Sequence, residues 1–364
     1  MSATVPSELD RWIEFLVGQK LGNYLLEECV GKGNFGAVFQ ASNELTGARV
    51  AIKVLTQFAD SNAVIDFDNE GELLLLLNDC DGVINVIDSD VESFPVQTDN
   101  GMTLMVAVRY HVLSFASGSV DQLLLDPITR ARLDWAERLR MWRGAVKGIH
   151  QMHLRGVAHR DLKSSNCLLM VHKNVSRVRL GDLGRAKNLS TSPTGPVERY
   201  WAGRGDMSYS PPEFLWLQGG VESKDFVAAD YYGLGSLLVE LVTGQGITAL
   251  VLGDFRPIVQ QALEDHQNGR YSDLSGLSLS YRSTVSDIAS QMPPSLRADA
   301  EAVLNTLCHP VAAERLAHPP FSRDRLLKDG LGWVLRRADI MIKRAEIDIR
   351  QERQLLRSLE RSAS

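Results

Sequence analysis

The chain has little cysteine: four residues in 364, with Cys29, Cys80, Cys167 and Cys308 far apart and in no metal-type pairing. This spacing argues against a disulfide framework and a zinc ribbon, and it reads as reduced thiols. Positive charge is not in excess either, since the formal net charge is −6 and the pI is near 5.8. A general nucleic-acid binder needs a basic face to neutralise phosphates, so no nucleic-acid partner is expected. No apolar run approaches the ~20 residues a membrane span requires, and the opening residues carry no basic-then-apolar signal. The expectation is a soluble, cytoplasmic protein without a transmembrane segment. Internal repeats and low-complexity segments are also lacking. What is present is ordinary for a globular chain, 44% hydrophobic and 23% charged residues, with ample length to bury a core.

Against this plain background one stretch stands out: His159-Arg160-Asp161-Leu162-Lys163-Ser164-Ser165-Asn166. It puts a base, a cation and a metal ligand in one short loop. The loop follows an amphipathic helical run, Asp134 to Leu154, in which Trp135, Leu139, Trp142, Ala145, Val146, Ile149 and Met152 recur at three- and four-residue steps. A strand-like segment, Cys167 to Val171, comes after it. A loop fixed between a buried helix and a strand can hold a carboxylate both exposed and rigid. Sixteen residues on, Asp182 stands between glycines in Leu180-Gly181-Asp182-Leu183-Gly184, a setting that suits oxygen ligation of magnesium on a phosphate substrate.

The N-terminal part reads as strands with one helix inserted. Ser7 to Val17 is a short amphipathic helix with Ser7 as cap, expected to pack on the domain behind it. From Tyr24 the pattern becomes strand-like and reaches Val30-Gly31-Lys32-Gly33-Asn34-Phe35-Gly36-Ala37-Val38. G-x-G-x-x-G alone is a weak signal, because it also opens dinucleotide folds. Here β-type runs follow, Ala37 to Ala41 and Arg49 to Leu55, where a dinucleotide site would place a helix. A glycine-rich hairpin of this kind can lie over phosphates and donate backbone N–H groups. In Val50-Ala51-Ile52-Lys53 a lysine sits inside an apolar run and is read as facing a cleft, although a lone strand lysine is more often at an exposed edge. The helical run Val64 to Leu77 offers it a carboxylate partner, Glu70 the better placed and Glu72 the alternative. Val83 to Ile87 reads as a strand, Asp88 to Asn100 as an exposed loop, and Met102 to Phe115 as a pair of β-type segments.

These motifs, in this order, resemble the eukaryotic-type (Hanks-type) protein kinase family, across about residues 24 to 325. The resemblance implies an α+β, two-lobed fold: a small β-rich lobe over 23–114 and a larger helical lobe over 119–326, making a kinase domain of 23–326 with ATP and Mg2+ between the lobes. Residues 1–22 would be a helical extension. It implies that Asp161 accepts or orients the substrate hydroxyl proton, that Lys163 offsets charge on the transferring group, and that Asn166 and Asp182 hold magnesium. Lys163 also fits serine/threonine specificity. The nucleotide would meet the glycine-rich residues Val30 to Gly36, with Val38, Ala51 and Leu168 around adenine. Leu113 would be the gatekeeper, the Ser114 carbonyl and Ala116 N–H would bond the base, and Ser119 or Asp121 the ribose. Lys53 would hold phosphates, oriented by Glu70. Asp230 would bond the catalytic-loop backbone, and Arg315 would pair with Glu213. Arg160 would meet a phosphate placed on the hydroxyl-rich segment Ser190-Thr191-Ser192-Pro193-Thr194, by autophosphorylation. One departure is Asp206, which stands where such kinases usually carry threonine, next to Lys163 and Asp161.

The style of residues 21–53 looks most like bacterial members. In the tail, 327–364, Leu335, Ala338, Ile342, Ala345, Ile349, Leu356 and Leu359 fall on three- and four-residue steps, which permits self-association through a coiled coil, a membrane-surface helix, or a helix packed on its own domain. Two other functions stay open beside an enzyme acting on protein substrates. One is a pseudokinase scaffold acting through the tail, and the other is a kinase-like enzyme for small molecules.

Overall fold

A computed structural model describes residues 7–33, 36–56, 59–97, 102–173, 175–191, 206–317 and 330–363. Asn34 and Phe35 of the glycine-rich turn, Ser192 and Thr194 of the hydroxyl-rich segment, and the expected boundary at 326 lie outside these residues. The chain divides into two units, 1–117 with 182–185, and 118–181 with 186–364.

The first unit is a six-stranded antiparallel sheet in the order β1-β2-β3-β4-β6-β5, with two helices. Its strands are β1 (Lys20–Leu21), β2 (Tyr24–Lys32), β3 (Gly36–Asn43), β4 (Arg49–Leu55), β5 (Val86–Gln97) and β6 (Thr103–Ser114). Alternation decides which face is core. Ala37, Phe39 and Ala41 of β3, Val50, Ile52 and Val54 of β4, and Val108, Tyr110 and Val112 of β6 point one way and are buried. Helix α1 (Glu8–Leu16) covers that face with Trp12, Ile13 and Leu16. Ser7 starts α1 through a capping box with Asp10, which satisfies backbone donors the first turn cannot. Helix α2 (Ser61–Leu76) begins at Asp60, whose side chain accepts from the Ala63 N–H at 2.7 Å.

Here the structure corrects two expectations. Asp88 to Asn100 is not a loop as far as it is described: β5 runs through Gln97, paired to β6 from Val86↔Leu113 to Gln97↔Thr103. Residues Met102 to Phe115 hold one strand rather than two segments. The physical reason is position, because β5 lies at the sheet edge, where acidic residues and Pro95 are tolerated on a strand that a central position would refuse.

The second unit is helical, with short strands. It contains α3 (Val120–Leu125), α4 (Pro127–Arg132), α5 (Trp135–Leu154), the bridging pair β7 (Val157–Ala158) and β10 (Lys187–Asn188), and the hairpin β8 (Cys167–His172) with β9 (Val175–Leu180). Asp134 caps α5, and Leu139, Trp142, Ala145, Val146, Ile149 and Met152 are fully buried along one face. Burying each of the Leu, Val, Ile and Met side chains stabilises by roughly 1.5–3 kcal/mol. They pack on the central helix Ser223–Thr243, where the Trp142 indole N–H donates to the Leu234 carbonyl at 2.8 Å and Arg138 to the Leu241 carbonyl at 2.7 Å. That central helix is long and apolar enough to cross a membrane, with 83% of its apolar window buried inside the protein. At 21 residues it is one mostly buried apolar helix and no clear membrane span, and Asp230 and Glu240 within it are buried partners of the unit's loops.

The C-terminal helix Gly332–Ala363 lies on α5 and on the helix Pro294–Leu307. Trp333, Val334, Ala338, Met341, Ile342 and Ala345 are buried there. Arg143 pairs with Asp339 at 2.5 Å, Arg140 with Glu346 at 2.7 Å, and the buried Asp299 carboxylate takes both Arg337 and Arg344. From Arg350 to Glu360 the helix is exposed on all sides.

Candidate active site

In the first unit, the sheet face opposite the core carries the candidate residues. Directly paired residues on neighbouring strands share a face, and the register pairs Val38 with Lys53 and Lys53 with His111, then Ala51 with Leu113. Val38, Ala51 and Lys53 are half-buried on it, whereas His111 and Leu113 are buried. Beside them β2 carries Val30, Gly31 and Lys32 toward the turn, with Gly31 opposite Val38 after a bulge, and the Gly33 N–H donates to the Gly36 carbonyl at 2.9 Å. Gly36 can only be glycine without rearrangement: a Cβ there would stand 2.1 Å from the Val54 carbonyl oxygen. The Lys32 ammonium is turned onto Asp10 of α1 at 2.6 Å.

Lys53 is the centre of this face. Its Nζ lies 2.6 Å from Glu70 Oε2, 2.9 Å from Glu70 Oε1 and 2.8 Å from Asp182 Oδ1. Burial opposes the charge on Lys53, but the Glu70 and Asp182 carboxylates outweigh it and hold the ammonium pKa above its ordinary value. Glu70 is buried and also accepts the Leu183 N–H at 3.1 Å, while Glu72 is on the exposed side of α2. Of the two candidates, the geometry selects Glu70. Asp182 adopts φ +57°, a left-handed conformation that costs a non-glycine residue of order 1 kcal/mol, and its side chain is half exposed. At the end of β6, the Ser114 N–H donates to the Asn85 carbonyl at 3.0 Å, and Ala116 lies just beyond.

In the second unit the loop 159–166 hangs from Asp230. One Asp230 oxygen accepts the Arg160 N–H at 2.7 Å, and the other accepts the His159 N–H and the His153 ring N–H, each at 2.8 Å. Burial favours the neutral acid, yet the His153 bond and the surrounding donors prevail and keep the Asp230 pKa below its ordinary value. The His159 ring donates Nε2–H to the Gly181 carbonyl at 3.2 Å, so Nδ1 is free to accept the Asp161 N–H at 3.3 Å. Arg160 holds φ +65°, the second left-handed residue within these motifs, and its guanidinium lies 4.7 Å from the Phe226 ring centre.

This scaffold presents Asp161 and Lys163 as a pair, Nζ to Oδ2 at 3.4 Å. Asn166 donates Nδ2–H to the Asp161 carbonyl at 2.7 Å, an orientation that leaves its amide oxygen for a ligand. Leu168 is half-buried in β8 and bridges to Ser119, whose hydroxyl donates to Asp121. Asp206 does not pair with Lys163. Its carboxylate accepts the Ser208 N–H at 2.9 Å and starts the short 3-10 turn Met207–Tyr209. Asp121, Lys163, Asp206, Tyr209 and Glu240 line one cavity of about 340 Å³.

Two of the residues that build these sites, Glu240 and His111, had gone unread in the sequence. Glu240 takes the Ser164 N–H at 3.2 Å, the Ser164 hydroxyl, and the Tyr209 hydroxyl at 2.7 Å. Burial raises its pKa despite those three donors. Its signal was a carboxylate in an otherwise apolar helix. His111 had a weaker one, a lone imidazole within the apolar run 108–113. Glu213 and Arg315 come together as a bidentate pair at 2.7 and 2.8 Å, both buried, with the guanidinium 4.7 Å from the Tyr232 ring centre. Among the described residues no group of three or more His, Cys, Asp or Glu side chains is placed to hold a metal by itself.

Comparison with known proteins gives the same picture from outside. The family model described as the protein kinase domain matches residues 24–321. Similar curated proteins from Arabidopsis thaliana include cysteine-rich receptor-like protein kinase 14, 30% identical over 220 residues, covering 59% of this chain and 29% of that protein. A G-type lectin S-receptor-like serine/threonine-protein kinase is 27% identical over 235 residues, 64% of this chain and 26% of that protein. A probable LRR receptor-like serine/threonine-protein kinase is 25% identical over 276 residues, 75% of this chain and 26% of that protein. The chain thus spans under a third of the length of these relatives. They are plant proteins, and the bacterial style expected of residues 21–53 finds no support in them.

Proposed function

The chain belongs to the protein kinase domain family, and from that premise we propose that it transfers the γ-phosphoryl group of ATP to serine or threonine hydroxyls of protein substrates. The observation that carries this reading is the Lys53 ammonium, fixed by Glu70 at 2.6 Å and by Asp182 at 2.8 Å. An ammonium held charged and oriented on the sheet face that also bears Val38 and Ala51 suits the α- and β-phosphates of a nucleotide.

In this reading Asp161 takes the proton of the attacking hydroxyl as its oxygen bonds to the γ-phosphorus. The bond from that phosphorus to the bridging oxygen breaks, and ADP leaves with the electron pair. Lys163, beside Asp161, offsets negative charge on the transferring group. Asp182 and Asn166 would hold magnesium. A carboxylate and an amide oxygen are the donors this hard cation takes, and a bound ion would neutralise charge building up between the β- and γ-phosphates. The Leu113 to Ala116 segment would bond adenine through its backbone, the Ser114 carbonyl and the Ala116 N–H. Lys163 and the names of the relatives favour serine/threonine over tyrosine.

The test is incubation of purified protein with labelled ATP, magnesium and a basic substrate protein, beside Asp161→Asn. Label on the wild type alone supports transfer, and acid hydrolysis of the product tells serine and threonine from tyrosine. No label on either protein overturns the reading. A second reading, a nucleotide-binding scaffold that self-associates through its tail, is favoured by the exposed Leu355, Leu356 and Leu359 near the end of the C-terminal helix.

A further inference from the structure

His111 is a buried imidazole, 4% exposed, to which the chemistry above gives no part. It lies on β6 directly opposite Lys53 of β4, so both side chains leave the same face of the sheet. Lys53 reaches the carboxylate of Glu70, and His111 reaches the backbone of the helix that carries it. Its Nε2 is 3.0 Å from the Phe67 carbonyl oxygen, which can only accept, so Nε2 bears the proton. Nδ1 then accepts the Ser89 hydroxyl at 2.8 Å. The ring also stacks on Phe67, centroids 4.0 Å apart and planes 10° from parallel.

A glycine in α2 completes the fit. Gly71 follows Glu70, and a Cβ there would stand 2.6 Å from His111 Cε1. Glycine inside a helix costs roughly 0.5–1 kcal/mol relative to alanine, and here it lets the imidazole lie against the helix backbone. One turn of α2, Phe67 to Gly71, is therefore held by a stack, a hydrogen bond and a close contact, all from one ring, with Glu70 inside that turn.

We propose that His111 is a positioning residue: its neutral ring pins the turn Phe67–Gly71 so that Glu70 meets Lys53. This rests on the phosphoryl-transfer reading of Lys53 and Glu70. The charged groups facing the ring are Glu70 and Asp68 from α2, which favour its protonation, and Lys53 from β4, which opposes it; β5 presents Ser89. Burial opposes protonation most, and its pKa falls below the ordinary 6.5. The folded protein therefore binds this proton less readily than the unfolded chain. The clamp is intact above 6.5, and it weakens as pH drops from there through the lower folded value.

The experiment compares wild type with His111→Leu, His111→Gln and Gly71→Ala as full chains. It reads steady-state transfer against ATP concentration and pH, and hydrogen–deuterium exchange over residues 61–76. His111→Leu should lower kcat/KM for ATP about tenfold, the ceiling for one net hydrogen bond, and speed exchange in α2 by a similar factor. Gln can donate to the Phe67 carbonyl and should recover most of both, with a flatter acid limb than wild type. Gly71→Ala should also speed exchange, although alanine by itself stabilises a helix. Unchanged exchange and kinetics in a folded His111→Leu would overturn the inference, as would a Gln variant no better than Leu. Should Leu not fold, the Gln and Gly71→Ala variants decide by the same readouts. If the wild type transfers no phosphate, the kinase reading falls, and exchange alone decides the clamp.

Discussion

Asp230 and Arg160 are joined by a 2.7 Å hydrogen bond from the Arg160 backbone N–H to a fully buried carboxylate, seventy residues away in sequence. The bond sits where Arg160 holds φ +65°, so the carboxylate stabilises a backbone conformation that would otherwise relax. Asp230→Ala orphans the N–H groups of both His159 and Arg160. Each buried unsatisfied donor costs about 1–3 kcal/mol, so a loss of roughly 2–6 kcal/mol is expected in urea unfolding. A loss under 1 kcal/mol would mean the loop is held from elsewhere.

The same carboxylate has a signed pH dependence. Its folded pKa lies below the ordinary 3.8, so the unfolded chain takes up the proton first. The stability it contributes is present above 3.8 and is lost as pH falls from there through the lower folded value. Wild type should lose stability across that acid window more steeply than Asp230→Asn. Parallel profiles would remove Asp230 from the account of acid unfolding.

Lys53 and Glu70 give an asymmetric pair of variants. Lys53→Met removes the cation that would hold phosphates, and leaves Glu70 buried with the Leu183 N–H as its one donor among the described residues. Transfer should fall by about 10²–10³, the usual scale for a lost electrostatic donor. Glu70→Gln keeps the lysine and should cost less, chiefly in KM for ATP. Equal losses would indicate that Glu70 does more than orient Lys53.

How much of this was legible in the sequence depended on whether the residues of a site are contiguous. His159 to Asn166 could be read directly, because one loop carries the whole set. Lys53 could be read from the apolar run around it, whereas the choice between Glu70 and Glu72 needed the sheet to show which side of α2 faces Lys53. Strand β5 was misread as loop since an edge strand may carry Asp88, Asp90 and Glu92 without burying them. Glu240 and His111 were missed for the opposite reason. Each is one polar group in an apolar run, and its partners, Tyr209 and Ser164 for one and Phe67 for the other, come from distant segments. Asp206 was visible as a departure, but its turn toward the Ser208 N–H rather than Lys163 was not.

Glu213 and Arg315 are both buried, and Arg315 also donates to the His309 carbonyl at 2.6 Å. Burial opposes the arginine's charge, and Glu213 restores it, leaving the guanidinium pKa raised. Breaking such a pair from one side leaves a buried charge uncompensated, at about 3–5 kcal/mol. Arg315→Met and Glu213→Gln should each destabilise on that scale in urea, and the double variant by less than their sum. Strict additivity would show that the two do not interact energetically.

The C-terminal helix separates into two halves with different expected behaviour. Its first half is fixed by Trp333, Val334, Met341 and Ala345 in the core, and by Asp299 between Arg337 and Arg344. Its last turns, from Gln351 to Glu360, are exposed to solvent. Removing residues after Arg350 should therefore move the thermal midpoint by no more than about 1 °C, as expected for surface changes. Asp299→Ala should lower it by several degrees, because it removes the buried carboxylate that holds both the mostly buried Arg337 and the half-exposed Arg344. The truncated protein also divides the two functional readings: phosphoryl transfer that survives intact assigns the tail no catalytic part, while a fall in the number of copies per particle by sedimentation assigns Leu355, Leu356 and Leu359 to an interface between copies.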